Sequence, residues 1–310
     1  MEVPACPECG STLSTSRSTG RFKPGSGAAT RRMHWKCRSC ETVFGAESGG
    51  SPLNPQDGLS MYEHQVAADL QKKLMPAAIP HPPGFEIAAL LEPSPEIRGD
   101  YFDVFPVEPD RLAFVCADVS GIGIAAVLVM AGVRGYVREE AARDPRPREV
   151  AVRLNALLYP ETPRGTFVTM LYGVLNMKTN ILTCVSLGHD PMIHWSREAK
   201  SCRLVNPNGI ALGLDRGPVF DRAVREESVQ LLPGDRFVMY TDGFVKAMNE
   251  REEPYTAERF RNKINELADW DSRAFVFELL RDVQRYLGDA PQQDDMTILT
   301  CRTLPPEPKR

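Results

Sequence analysis

Four aspartates stand where an apolar, strand-like run meets glycine or another small residue. RLAFVCA leads into Asp118-Val119-Ser120-Gly121 and RFVMYT into Asp242-Gly243; Arg98-Gly99-Asp100 precedes YFDVF, and Asp294-Asp295 precedes MTILT. A strand end holds a carboxylate rigidly, and an adjacent glycine lets backbone, water or ligand approach closely. Carboxylates gathered at one sheet rim repel each other and call for cations. All-oxygen sites suit hard ions such as Mg2+ and Mn2+. Two such ions roughly 4 Å apart can hold a bridging water, lower its pKa and steady the entering and leaving oxygens of a phosphoryl group. The chemistry this points to is metal-assisted phosphoester hydrolysis. Taken singly, each Asp reads as a turn former; four together, with glycine partners, read as a site.

Eight cysteines supply a second constellation. Cys6-Pro-Glu-Cys9 and Cys37-Arg-Ser-Cys40 make two CxxC pairs, 27 residues apart. Four thiolates at this spacing suit tetrahedral Zn2+, and so small a module needs a staple to fold. The expectation is a zinc-ribbon-like module over 1–46 holding one structural Zn2+, rather than a pair of redox thiols. Cys116, Cys184, Cys202 and Cys301 are scattered and read as buried, inert thiols.

The elements that must position these residues follow from composition and periodicity. Residues 47–58, ESGGSPLNPQDG, read as a flexible linker. Residues 59–76 read as a helix ended by Pro76, with Tyr62, Val66, Leu70 and Leu74 forming one apolar stripe. That stripe packs either on the chain's own domain or on the same helix of a second chain. Residues 77–303 form the large domain and 304–310 a disordered tail. Strands are predicted at 85–91, 101–106, 111–117, 166–175, 181–186, 192–195, 236–240 and 296–301, and helices at 124–142, 148–159, 256–268 and 272–287. Most connections between strands are too short for helical crossovers, which favours an α+β architecture of antiparallel sheets with helices outside.

The runs EPSPEIRGDYFDVF, ADVSGIGIAAVLVMA, TFVTMLYGVL, SLGHDPMI, YTDGFVKA and QQDDMTIL occur in an order that resembles the PPM, or protein phosphatase 2C-like, family, and most of all its bacterial SpoIIE/RsbU-type branch. The resemblance covers about residues 60–303. It implies an α-β-β-α sandwich, two Mn2+ or Mg2+ ions, and phosphoserine or phosphothreonine substrates. It also implies that Asp118 bridges both metals, that the carbonyl of Val119 is a ligand, that Asp242 and Asp294 complete one metal's shell, and that Asp100 binds or orients the other. Asp295 then stands behind the ligands, and Asp103 and His189 are structural supports. Gly121 belongs to the same loop. Arg98 replaces the first glycine of the family's Gly-Gly-Asp, as a phosphate clamp or a solvated side chain. Ile122 stands where the branch carries a polar residue. Ser120 replaces the histidine of eukaryotic-type members, which leaves protonation of the leaving group to metal-bound water. The rival reading of Gly121-x-Gly123-x-x-Ala126 as a dinucleotide fingerprint fails, because Asp118 would repel a pyrophosphate and no second βαβ unit follows.

Net charge is −4, so the whole chain carries no signature of nucleic-acid or membrane binding. Residues 1–50 hold seven Lys/Arg against four Glu, a balance of +3 that leaves −7 for the rest. A solvated or protein-docking surface is the plainer reading of that basic end, and nucleic-acid binding the less favoured. Neither a signal peptide nor a membrane-length apolar run is visible, which points to the cytoplasm. The expected function is a metal-dependent serine/threonine protein phosphatase acting on a phosphorylated regulatory protein, in the resembling branch often an anti-sigma-factor antagonist. The alternative is a catalytically weak signalling adaptor that uses its zinc ribbon for binding.

Overall fold

The structure, a computed structural model, describes the backbone of residues 13–16, 31–37, 43–48 and 61–305, with side chains from residue 66 onward. Chain contacts divide it into two units, 1–60 and 61–310. In the smaller unit β1 (Leu13–Ser16), β2 (Arg31–Cys37) and β3 (Val43–Ser48) form an antiparallel sheet in that order. Cys37 closes β2 opposite Leu13. Cys6, Cys9 and Cys40 lie outside the described residues, as do most of the expected linker and residues 306–310 of the tail. The strand β3 runs through Glu47 and Ser48, the first two residues assigned to the linker.

The larger unit begins with α1 (Met61–Leu74), so this helix belongs to it. There follow β4 (Phe85–Glu92), β5 (Tyr101–Glu108), β6 (Arg111–Val119), α2 (Ile124–Arg143) and α3 (Pro147–Glu161). Next come β7 (Val168–Asn176), β8 (Ile181–Leu187), β9 (Met192–Ser196), β10 (Ser201–Val205), α4 (Pro218–Ala223) and β11 (Glu227–Gln230). The chain closes with β12 (Arg236–Tyr240), α5 (Ala257–Leu267), α6 (Ser272–Leu287) and β13 (Met296–Thr303). Two five-stranded antiparallel sheets result, ordered β10-β9-β12-β13-β4 and β11-β8-β7-β6-β5. Helices α2 and α3 cover the second sheet; α5 and α6 cover the first. This is the α-β-β-α layering expected from the sequence.

Strands inside such layers are buried on both faces, so they read as continuous apolar runs rather than alternating ones. In β6, Leu112 to Ala117 is buried without a break. One face packs between the sheets, where Phe114 meets Phe237 of β12 edge-on with ring centroids 5.0 Å apart. The other faces α2, which buries Val127, Met130, Val133 and Val137. On the opposite side, Arg236 of β12 is wholly buried beneath the α5–α6 corner. It donates to the carbonyls of Ala268 and Trp270 and to the hydroxyls of Ser272 and Thr300, with Phe275 stacked 4.1 Å away. A cation buried there is tolerable only because its donors are met.

Of the two packings open to the α1 stripe, the one on the chain's own domain is corrected. The stripe predicted to pack α1 leaves Val66 and Leu70 44% and 46% exposed, while Ala67 and Gln71 are buried. The helix has turned a polar side chain inward, and the site described next explains why.

Candidate active site

The acids come from both sheets. Asp100 enters β5 and Asp118 ends β6, both in the second sheet; Asp242 follows β12, and Asp294 and Asp295 enter β13, both in the first. The sheets are stitched at this rim. Buried Asp100 accepts from Thr241 Oγ1 at 2.7 Å and from Thr297 Oγ1 at 2.5 Å, across the seam.

Two glycines make the approach possible. A Cβ on Gly243 would stand 2.0 Å from the carbonyl oxygen of Asp295, so the Asp242 turn can nest against the Asp294–Asp295 backbone only without a side chain there. A Cβ on Gly99 would lie 2.5 Å from Cβ of Val119 and 3.0 Å from its carbonyl oxygen. Gly99 thus lets the Asp100 segment close against Val119. The following loop turns through Gly121 at φ +105°, and Gly123 N–H donates to Ile97 O at 2.7 Å, holding the two segments together.

Repulsion is visible in the electrostatics. Burial, then the charges of Asp242, Asp294 and Asp295, push Asp118 up to about 7, with Arg98 pulling the other way. Burial and the charges of Asp118 and Asp295 raise Asp100 well above the ordinary carboxylate range, against two threonine hydrogen bonds. Asp294 and Asp295 are raised chiefly by burial. Such a set is short of positive charge.

Three more of the acids each have a partner. Asp242 Oδ2 lies 2.5 Å from Lys246 Nζ. Asp294 Oδ1 accepts from Asp295 N–H and stands 3.2 Å from Arg98 Nε, a charge contact without hydrogen-bond alignment. Arg98 also donates to Gln293 O at 2.6 Å. Asp295 accepts from Ser94 N–H at 2.8 Å and from Gln71 Nε2 at 2.7 Å. That last bond is why α1 buries Gln71, which reaches Arg98 O as well at 3.2 Å. With the side chains so turned, no three His, Cys, Asp or Glu among the described residues are grouped to hold a metal ion. The donor set itself, hard carboxylate oxygens whose mutual repulsion Lys246 and Arg98 relieve only in part, fits divalent Mg2+ or Mn2+.

The neighbouring residues are scaffolding. His189, buried, receives the Thr169 hydroxyl on Nδ1 at 2.8 Å and donates from Nε2 to Tyr240 O at 3.1 Å. Thr169 is the register partner of Asp118, and Tyr240 lies two residues before Asp242. Asp103 is held by Arg138 through a two-pronged bond of 2.7 and 2.9 Å and by Tyr101 OH at 2.6 Å, which ties β5 to α2. Ser120 Oγ accepts from Phe167 N–H at 2.9 Å, and Ile122 is exposed. Sequence reasoning passed over Asp190, whose carboxyl is raised by burial and by the charge of Asp242. It follows His189 in a loop, without the strand–Asp–Gly pattern; its one signal was its place beside that histidine. Lys246 was passed over too, and its position four residues after Asp242 was the available clue.

Known proteins resemble this chain over most of its length. The family model described as stage II sporulation protein E (SpoIIE) matches residues 108–304. The phosphoserine phosphatase RsbU of Bacillus subtilis is 25% identical over 240 residues, which span 77% of this chain and 70% of RsbU. The crystal structure of the RsbU and RsbW domains of Rv1364c from Mycobacterium tuberculosis is 27% identical, with a TM-score of 0.63 over 76% of this chain and 64% of that one. The SiaA-PP2C domain of Pseudomonas aeruginosa, 16% identical, has a TM-score of 0.66 over 77% of this chain and 94% of its own, a likeness of fold.

Proposed function

This chain belongs to the stage II sporulation protein E (SpoIIE) family and is a phosphatase, and from that premise we propose that it hydrolyses phosphoserine or phosphothreonine on a protein regulator at the acidic rim. The observation that carries the proposal is the meeting of Asp100 and Asp118 from one sheet with Asp242, Asp294 and Asp295 from the other. Asp118, the Val119 carbonyl, Asp242, Asp294 and Asp100 would hold two divalent ions, Mn2+ or Mg2+. Bound there, the ions acidify water and offset charge on the phosphoryl oxygens. The chain's residues do the rest. Thr241 and Thr297 fix the Asp100 carboxylate, and Gln71 and Ser94 fix Asp295 behind the ligands. His189, neutral, orients Thr169 beside Asp118. Arg98, pinned by Gln293 O, keeps a cation on the rim where an anionic substrate arrives.

The presence of the whole acidic set favours an enzyme over a weak adaptor. The substrate class we propose is a phosphorylated signalling regulator of the anti-sigma-factor-antagonist kind. The four thiols Cys6, Cys9, Cys37 and Cys40 are proposed, on spacing, to hold one structural Zn2+. Cys116, Cys184, Cys202 and Cys301 are free, which suits a reducing compartment, the cytoplasm. No helix of the described residues is long and apolar enough to cross a membrane.

The test is phosphate release from a phosphoserine peptide. Chelation should abolish it, added Mn2+ should restore it, and Asp118→Asn should lower the rate by at least about a hundredfold. Full activity in Asp118→Asn, or activity indifferent to chelator, would overturn the assignment.

A further inference from the structure

Asp242 already carries a cation that belongs to the chain. The backbone after β12 turns back on itself: Phe244 N–H donates to Thr241 O at 3.3 Å and Lys246 N–H to Asp242 O at 2.8 Å. That turn lays the Lys246 side chain along Asp242, with Nζ 2.5 Å from Oδ2. The same ammonium faces the charges of Asp190 and Asp294. Yet the lysine side chain is 72% exposed, so charge holds it there, not packing. Arg98, over Asp294, differs: its side chain is only 22% exposed and a second bond to Gln293 O anchors it. Of the two cations, Lys246 alone has open solvent to swing into.

We propose that Lys246 is a tethered counter-ion for Asp242, seated on its carboxylate until a divalent ion binds and displaced as it does, so that it sets the metal affinity of the rim. This rests on the reading that divalent ions bind there. An ammonium and a divalent ion compete for the same carboxylate oxygen. The displaced ammonium stays on a four-carbon stem within reach of the bound ion and repels it. Lys246 therefore weakens metal binding while keeping the metal-free rim from carrying bare repulsion. It acts through Asp242 and is a positioning residue.

The experiment is calorimetric titration of the full chain, stripped of divalent ions, with MnCl2. Wild type, Lys246→Met and Lys246→Arg are compared at low and high salt. Removing the charge should tighten Mn2+ binding about tenfold, the scale of one unit charge against a divalent ion a few ångströms away in water. Lys246→Arg should stay near wild type. The gap between wild type and Lys246→Met should narrow as salt screens the repulsion. Equal affinity in all three proteins overturns the proposal, as does weaker binding in Lys246→Met or tightening as large in Lys246→Arg. No Mn2+ uptake by the wild type would overturn the metal reading itself, and this inference with it. An exposed lysine is not needed for folding, and a melting curve of each variant checks that.

Discussion

At the scale of single residues, burial shifts the titration of several groups around the site. Burial drives His189 down to about 4, against an ordinary value near 6.5. The folded chain thus takes up this proton less readily than the unfolded chain. The stability that neutral His189 contributes is whole above pH about 6.5 and drains as pH falls toward 4. Between pH 7 and 5 the loss amounts to about 2 kcal/mol. The raised acids of the rim act in the opposite sense, losing stability as pH rises, and are common to wild type and variant. Denaturant melts in chelator should therefore show a shallower loss on acidification for His189→Gln than for wild type. Parallel slopes would mean that His189 is not held neutral. Asp118 and Asp242 were legible in the sequence because a strand, an acid and a glycine make a local pattern. Asp190 was not, because its role arises only where the loop after β8 meets the turn after β12, and Lys246 was passed over although its local spacing from Asp242 offered a clue.

At the scale of elements, apolar runs located the inner strands well, since burial on both faces leaves no ambiguity of period. The edge strands β10 and β11 escaped: each is short, and half or more of its residues face solvent. The six-residue α4 escaped for its brevity. In α1 the four-residue spacing did not mark the face that packs on the larger unit, because that face contains a glutamine whose partner is an aspartate 224 residues away. This alters what substitutions should do. Leu70→Asp, on the exposed face, should change stability by no more than about 0.5 kcal/mol. Gln71→Leu should raise the Mn2+ concentration for half-maximal activity several-fold, since Asp295 loses a donor beside Asp294, a loss of the kind that costs metal sites about 10–100-fold. An activity titration with Mn2+ beside a melt of each variant decides. Should Leu70→Asp instead shift a sedimentation profile from dimer to monomer, the exposed stripe is an interface between two copies.

At the scale of the whole molecule, the small unit and the phosphatase unit are proposed to be separable in function. The purified chain should hold about one Zn2+, lost on Cys37→Ser. Activity on a small phosphoester should survive that change. Loss of activity with the larger unit still folded would make the small unit part of the active unit. Fold class was legible because most connections are too short for crossovers and the motif order resembles a known family; the seam between the sheets was not, because no local pattern says which strand ends will face each other.

That seam has a mechanical consequence. The proposed ligands are shared between two sheets whose separation is set by side chains such as Phe114 and Phe237. The rim therefore behaves as the jaws of a caliper whose spindle is the core. Hydrostatic pressure, or a methylene removed from that aromatic contact, should change the jaw opening before it unfolds anything, an outcome that Mn2+ affinity measured under pressure would check. With metal bound as proposed, its occupancy would then gauge interior packing, readable from a distance.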